Sequence, residues 1–456
     1  MRKLTFLMLF AVMGITTFMH AQELITDGGF ENTVSNGYTV TESSTNVLKR
    51  VTNIYDPGTN NCQATYPTAT AAAIVAGQWV KKAANATGDD GVKAIVQASG
   101  AHGGSNCLNL KIASGISTPG YTNWSNCVAL QKVNSSLSNT NKFVVTFWAK
   151  LDGTVSNTAT SVTVILVDNT AKVTTNPLAA TAVLTGGTNW TKYTVLLDIP
   201  KFKTFNSTAD FATAFLGFGI YTSYNSSLTN YSGVLIDDIS LQQYSGTPST
   251  RYVKSGGTGD GTSWGSASGS IIDMLNDIPA GEVRVAAGTY TPSATIPIKD
   301  GINLTGAYPA NASTGNETRD LYSNQTILDG NNARRILQAP DFGAAFYNVT
   351  VVDGFVLQKG NSTYGSAAAI TLGTVLQNCV IRNNNGGNYG AAVFMSKDTY
   401  TSTSNVNGKA SGGLINCIIH NNTSSSQAAG IFCGDYAYFS MVNCVIASNK
   451  ATSGVG

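Results

Sequence analysis

The chain has 456 residues, 27 basic against 25 acidic, and only 11% charged residues, less than half the roughly 25% of ordinary soluble domains. No charge excess draws it toward nucleic acid or anionic lipid. Its 47 glycines and plentiful Ser, Thr and Asn predict a polar, weakly charged surface suited to repetitive β-structure and to contact with neutral sugars.

The N-terminus, MRKLTFLMLFAVMGITTFMHAQ, sets Arg2 and Lys3 ahead of an apolar run from Leu4 to Met19, with small Ala21 as the cleavage residue. This reads as a secretory signal peptide over 1–21. The run is shorter than the roughly 20 apolar residues of a spanning helix, and no later segment approaches a transmembrane span. The expected destination is the extracellular medium or the outer-membrane surface. Seven cysteines in an exported chain leave at least one unpaired. The pairing of Cys62, Cys107 and Cys127 stays open, whereas Cys379, Cys417 and Cys444 recur inside a repeated phrase and read as small buried apolar residues.

From 22 to 244 come the strand-like runs CLNLKI, KFVVTFWAKL, SVTVILVD, TKYTVLLDI, AFLGFGIY and GVLIDDISL. Each is rich in β-branched and aromatic residues and bounded by turn formers. No helical period competes, which predicts one all-β domain, a two-sheet antiparallel sandwich. The polar stretch YSGTPSTRY places a linker at 245–251. The glycines of SGGTGDGTSWG imitate a nucleotide loop, but no preceding strand and directly following helix of a βαβ unit accompany them, so phosphate binding is set aside. Ser270–Ile278, SIIDMLNDI, is the one predicted helix after the leader. Ser270 and Asp273 have capping-box spacing, and Ile271, Met274, Leu275 and Ile278 share a face. Such a helix needs a surface to cover, and the open end of a repeat stack is one.

The second unit, 252–456, repeats a phrase: LQNCVIRNN at Leu376–Asn384, LINCIIHNN at Leu414–Asn422, MVNCVIASN at Met441–Asn449, with an imperfect copy VDGFVLQKG at Val352–Gly360. Leucine-rich repeats carry a similar string. Spacing decides against them: equivalent positions Phe355, Cys379, Cys417 and Cys444 lie about 24, 38 and 27 residues apart, too irregular for that horseshoe. A polar turn and a second strand also follow each asparagine. Two or three short strands per repeat predict a parallel β-helix whose coils stack at about 4.8 Å. Cys379 and Ile381 then point inward, Val380 and Arg382 outward, while Asn384, Asn422 and Asn449 bond their copies above and below in a ladder. No cap sequence follows KATSGVG, so further coils are expected after Gly456.

GDGTSW, the helix, VRVAAGTYTP, IKDGINLTGAYP and NQTILDGNNARRIL, followed by the N-C-x-I-x-x-N coils, resemble the exported right-handed parallel β-helix proteins of Bacteroidetes, related in fold to pectate lyases and polymorphic outer-membrane proteins. That fold serves lyases, hydrolases and non-catalytic adhesins alike. In the first unit LITDGGFE, VTFWAKLDG, TNWTKYTVLLDIP and GVLIDDISLQ resemble jelly-roll carbohydrate-binding modules of the family 4/9 type. The resemblance implies polysaccharide or host glycan as partner. It also implies that first and last strands pair, so that Asp27, Glu31, Asp237 and Asp238 meet and hold a structural Ca²⁺, a hard ion that takes oxygen ligands.

For a sugar platform, Trp148 and Trp190 lie inside strand patterns and are expected in the core. Trp124, in the polar loop GYTNWSN with Tyr121, is the leading candidate, and Trp79 in AGQWVKK is the second. The second unit offers little for catalysis. Between Phe346 and Gly456 its carboxylates are Asp353, Asp398 and Asp435, and no pair stands out as the two carboxyls, about 5 to 10 Å apart, of a glycosidase. Arg382 and His420 are expected to stack as a small basic pair, and Phe394 and Phe432 as an apolar strip. Glycan binding by an exported protein is therefore the leading reading. A polysaccharide lyase or glycoside hydrolase with active coils further along, and a structural adhesin, are the alternatives.

Overall fold

A computed structural model describes residues 23–25, 27–31, 50–51, 79–82, 92–97, 99–112, 127–154, 159–168, 178–204, 207–222, 232–339, 348–370, 373–389, 392–395, 412–434 and 439–453. Its described part is nearly all β.

The first unit holds eleven strands: β1 (Arg50–Val51), β2 (Trp79–Lys82), β3 (Val92–Gln97), β4 (Cys107–Ile112), β5 (Cys127–Lys132), β6 (Lys142–Leu151), β7 (Ala159–Asp168), β8 (Leu178–Val183), β9 (Thr191–Asp198), β10 (Ala214–Thr222) and β11 (Ser232–Tyr244). They form a six-stranded sheet, β1-β2-β5-β10-β7-β8, and a five-stranded sheet, β3-β4-β11-β6-β9, antiparallel except for β1 with β2. The period of two decides what each strand buries. In β6, Phe143, Val145, Phe147 and Ala149 face inward. Phe147 meets Tyr193 of its own sheet at 5.7 Å and Phe218 of the other at 5.4 Å, a geometry that adds to the burial of both rings.

The strand-like runs of the sequence all appear here. β1, β2, β3, β5 and β8 were not anticipated; they are short, and WVKK, VKAIVQ, CVALQK and LAATAV mix Lys, Gln or Ala into the pattern. The run TKYTVLLDI also ends sooner than read. Asp198 accepts from Lys201 N at 2.9 Å and Pro200 occupies the first turn, which opens a short helix, α1 (Ile199–Lys203).

From Ser249 every strand pairing is parallel, in sheets of seven, six, five and four strands. The chain visits them in rotation: Thr374–Gln377, Val380–Arg382, Asn385–Tyr389 and Val393–Met395 make one circuit, and Gly412–Ile415 returns to pair with Thr374–Gln377. Each circuit lays a residue above its copy. Leu376, Leu414 and Met441 align, as do Ile381, Ile419 and Ile446, and Cys379 and Cys417 are buried in the core between them.

The asparagines of the phrase do three things. Asn378, Asn416 and Asn443 turn the chain with φ near 52°, a left-handed conformation that Asn tolerates better than most residues, and their amides bond one another outside the stack at 3.2 and 2.8 Å. Asn383 and Asn421 take a second left-handed turn. Asn384, Asn422 and Asn449 form the ladder: Asn422 Oδ1 accepts from Asn384 N and Nδ2 at 3.0 and 2.9 Å, and Asn449 Oδ1 from Asn422 N and Nδ2 at 3.0 and 2.8 Å. Buried turn backbone is thereby satisfied.

The predicted helix, α2 (Ile271–Asp277), is capped by Ser270 Oγ, which accepts from Asp273 N at 3.1 Å. Its Ile271, Met274 and Leu275 join the stack core, and it meets the sandwich at the edge strand β9. There the buried Lys299 donates to Leu275 O and to Thr194 O, both at 2.7 Å, and Asn276 Nδ2 donates to Thr185 Oγ1 at 3.3 Å. A sheet edge that would otherwise expose unpaired carbonyls is closed by a side chain of the second unit. Among the described residues no helix is long and apolar enough to cross a membrane.

Candidate functional site

Val144, Thr146, Trp148 and Lys150 of β6, none of them buried, lie on the outer face of the five-stranded sheet. Trp148 stands opposite Asp237 of β11 on one side and Lys192 of β9 on the other. The loop 99–106 approaches this face. Its His102 stacks on Trp148 with ring centroids 3.8 Å apart and planes at 16°, and meets Trp190 edge-on at 5.7 Å. Trp190, just ahead of β9, donates its indole N–H to Gly100 O at 3.2 Å, and Lys150 Nζ sits 4.7 Å from its ring centroid. His102 Nδ1 lies 2.7 Å from Asp238 Oδ2. An ionised carboxylate only accepts, so Nδ1 is the donor in this contact.

Carboxylates pin this loop. The fully buried Asp237 accepts from His102 N at 2.8 Å and Gly103 N at 3.1 Å with one oxygen, and from Asp238 N at 2.8 Å with the other. Burial raises its carboxyl above the usual range, and the three amides pull against that rise. Glu31 accepts from Ser105 N and Asn106 N at 2.7 and 2.9 Å. A Cβ at Gly103 would stand 2.9 Å from Asp238 Oδ2 and push that carboxylate aside. A register shift between Asp237 and Ser240, with Asp238 at φ 48°, keeps Asp237 on the outer face while Ile239 returns to the core.

Beside the aromatic cluster lies a polar row. Asn109 Nδ2 donates to Gln97 Oε1 at 2.7 Å and to Asp152 Oδ2 at 2.9 Å, and Lys111 Nζ reaches the same oxygen at 3.1 Å. Burial works against the charge on Asp152, but hydrogen bonds from Thr154, Asn109 and Lys111 hold its carboxyl down at about 2. Burial chiefly, with Asp237 nearby, pushes the Cys107 thiol up to about 12, which leaves it an unreactive packing residue.

The aromatic expectations are corrected here. Trp79, taken as a platform candidate, is wholly buried; it packs on Phe30 at 5.1 Å and Phe218 at 6.1 Å and donates its N–H to Asp27 O at 3.1 Å. Trp148 and Trp190, expected in the core, are half-exposed on the outer face. The parity of KFVVTFWAKL holds the missed signal: with Phe143, Val145 and Phe147 inward, Trp148 has to point outward. His102 was not singled out, and its position follows only from the carboxylates that fold its loop back. Tyr121 and Trp124 lie outside the described residues.

First and last segments do meet. Glu23 bridges to Gln242, and Leu24 N donates to Leu241 O at 2.9 Å. Glu31, Asp237 and Asp238 gather around Gly29, and Asp27 lies two residues before Gly29, its carbonyl accepting from the Trp79 indole. Their hard oxygens suit Ca²⁺ in kind, but those of Glu31 and Asp237 are spent on amide N–H groups, and among the described residues no three such side chains are grouped to hold a metal.

On the stack, Arg382 and His420 align as expected, and the row continues through Gln358 to Asp329. Asp329 is bound by Lys359 at 3.0 Å and Asp353 by Arg319 at 2.8 Å. Asp398 and Asp435 lie outside the described residues. Phe394 and Phe432 stack at 5.8 Å with planes at 7°, with Tyr364 edge-on to Phe394.

No family model matches the chain, and no curated protein matches it. Among solved structures it is similar to a putative sugar-binding protein from Bacteroides thetaiotaomicron, 16% identical over 49% of this chain and 100% of the other, TM-score 0.30. It is also similar to the carbohydrate-binding module CBM4, 18% identical over 33% of this chain and 78% of the other, TM-score 0.22. A third is the CBM22-1 xylan-binding domain from Paenibacillus barcinonensis, 14% identical over 37% of this chain and 87% of the other, TM-score 0.23. Likenesses at this level leave the site to be read from its own residues.

Proposed function

We propose that the chain is an exported glycan-binding protein, active outside the cell or at the outer-membrane surface, that holds polysaccharide on the outer face of its five-stranded sheet. The observation that carries this is the cluster of His102, Trp148 and Trp190, partly exposed, with the Lys150 ammonium and the Gln97 amide beside it. Flat rings next to fixed donors and acceptors are what a sugar requires: apolar C–H surface against the rings, hydroxyls on the polar groups. Strands and a carboxylate-pinned loop fix most of these groups before a ligand arrives, which lowers the entropy lost on binding.

In this reading the sandwich is a jelly-roll module and the parallel stack is a right-handed β-helix of the pectate-lyase-like kind, acting as stalk or further binding surface. Rotation through four parallel sheets and the asparagine ladder support that architecture. Calcium rests on donor chemistry alone: an ion held by Asp27, Glu31, Asp237 and Asp238 would compete with the loop amides. A thermal midpoint that rises with calcium and falls with EDTA supports it, and one that moves with neither rejects it.

The binding test is a glycan array probed with the full chain. Retention on at least one polysaccharide class, lost in His102→Ala and Trp190→Ala, is the expected result. No retention on any glycan, or retention indifferent to both substitutions, would refute the assignment.

A further inference from the structure

We infer that the His102, Trp148 and Trp190 face takes an anionic glycan, one bearing uronate carboxylates or sulfate esters, with the Lys150 and Lys192 ammoniums as counter-charges. This rests on the glycan-binding reading above and narrows it to a chemical class.

The first support is how the rings are used. A neutral sugar is commonly held by an indole face left open to its C–H groups. Here one face of Trp148 is covered by the imidazole at 3.8 Å, and Lys150 stands over Trp190 at 4.7 Å. A cation over an aromatic ring is held by the ring's quadrupole. Besides offering C–H contact surface, the indoles thus position the His102 ring and the Lys150 ammonium, and the ammonium meets the ligand's anion.

The second support is the charge ledger of the face. Lys111 is committed to Asp152 at 3.1 Å and Lys142 to Asp198 at 2.7 Å. Asp238 is committed to His102 and Asp237 to the loop amides. Lys150 and Lys192 have no carboxylate within ion-pair distance among the described residues. They flank Trp148: Lys192 directly opposite on β9, Lys150 two residues along β6 on the same side of the strand. Cross-strand neighbours stand about 5 Å apart at Cβ, close enough for one sugar acid seated at His102 to meet an ammonium on either side. Two ammoniums without a salt bridge among the described residues therefore stand where the aromatic cluster lies, while the carboxylates of Asp237 and Asp238 are turned toward the loop 99–106, contrary to the neutral-sugar contact that composition suggested.

The test uses the full chain and titrates polygalacturonate, chondroitin sulfate and the neutral glycans xylan and laminarin, at low and high salt. Binding to the carboxylate or the sulfated polymer about tenfold tighter than to either neutral one, weakened by salt as exposed charges are screened, is expected; comparing the two anionic arms identifies which anion is read. Lys150→Gln with Lys192→Gln should cost about tenfold toward the anionic polymer, with the thermal midpoint unchanged, and Lys150→Arg should restore part of the loss. Equal, salt-independent binding of neutral glycans would overturn the inference and leave glycan binding standing. Retention of no glycan would overturn both, and full anionic binding by the double variant would overturn the lysine assignment.

Discussion

The two units solve the same problem, a buried β core, in opposite ways. In the sandwich a core position has neighbours of different kinds: Phe147 meets Tyr193 and Phe218. In the stack each position meets its copy: Ile381 lies over Ile419 and Asn384 over Asn422. Polar groups follow the same division. The stack satisfies asparagine with asparagine, whereas the sandwich satisfies Asp237 and Glu31 with the amides of a loop distant in sequence. Repetition builds length at little sequence cost, but it also repeats its surface. The unit without repetition can converge a histidine, two tryptophans and a lysine on one spot.

Three perturbations break or sharpen this contrast. The largest effect is expected for Phe147→Ala, about 4 kcal/mol from the cavity left by a buried aromatic, in the sandwich unfolding transition by urea titration; in the stack transition it should be small. Asn422→Ala removes the middle rung, which bonds both neighbours and Ile381 O. With buried groups left unpaired, it should cost the stack about 3 kcal/mol. A loss in both transitions at once, in either variant, would mean that the units fold as one.

The junction supplies the third effect, read as a pH dependence. Burial at Lys299 lowers its amine from an ordinary 10.5 to about 7, with Asp277 pulling the other way. A neutral amine has two N–H donors, and two carbonyls receive them. Between about pH 7 and 10.5 the unfolded chain binds a proton that the folded chain lacks, so stability rises with pH across that window; below about 7 the full cost of a buried charge is present. Thermal midpoints should climb from pH 7 toward 10 more steeply in the wild type than in Lys299→Met. Identical slopes would place the charge elsewhere.

The stack was the more legible unit because each residue of its phrase answers to one local rule: alternation for Cys379 and Ile381, laddering for Asn384. Even there, Asn378 and Asn383 went unread, since a left-handed turn leaves no mark beyond the asparagine itself. In the sandwich the strands with clean alternation were visible, and the site was not. Trp79 and Trp148 exchanged roles because burial of a tryptophan depends on which side of a strand it occupies, and for the short WVKK no alternation fixes that side. His102 sits in a glycine-rich loop whose course is set by Asp237 and Glu31, more than 70 residues away along the chain in each case. No local pattern carries that information.

The central claim is that binding belongs to the sandwich face and architecture to the stack. Affinity electrophoresis through polysaccharide gels tests it directly, comparing the wild type with Trp190→Ala and with Phe394→Ala, which removes the stack's aromatic strip. The account predicts retardation of the wild type and Phe394→Ala alike, and its loss in Trp190→Ala. Retardation that survives Trp190→Ala and vanishes in Phe394→Ala would contradict it.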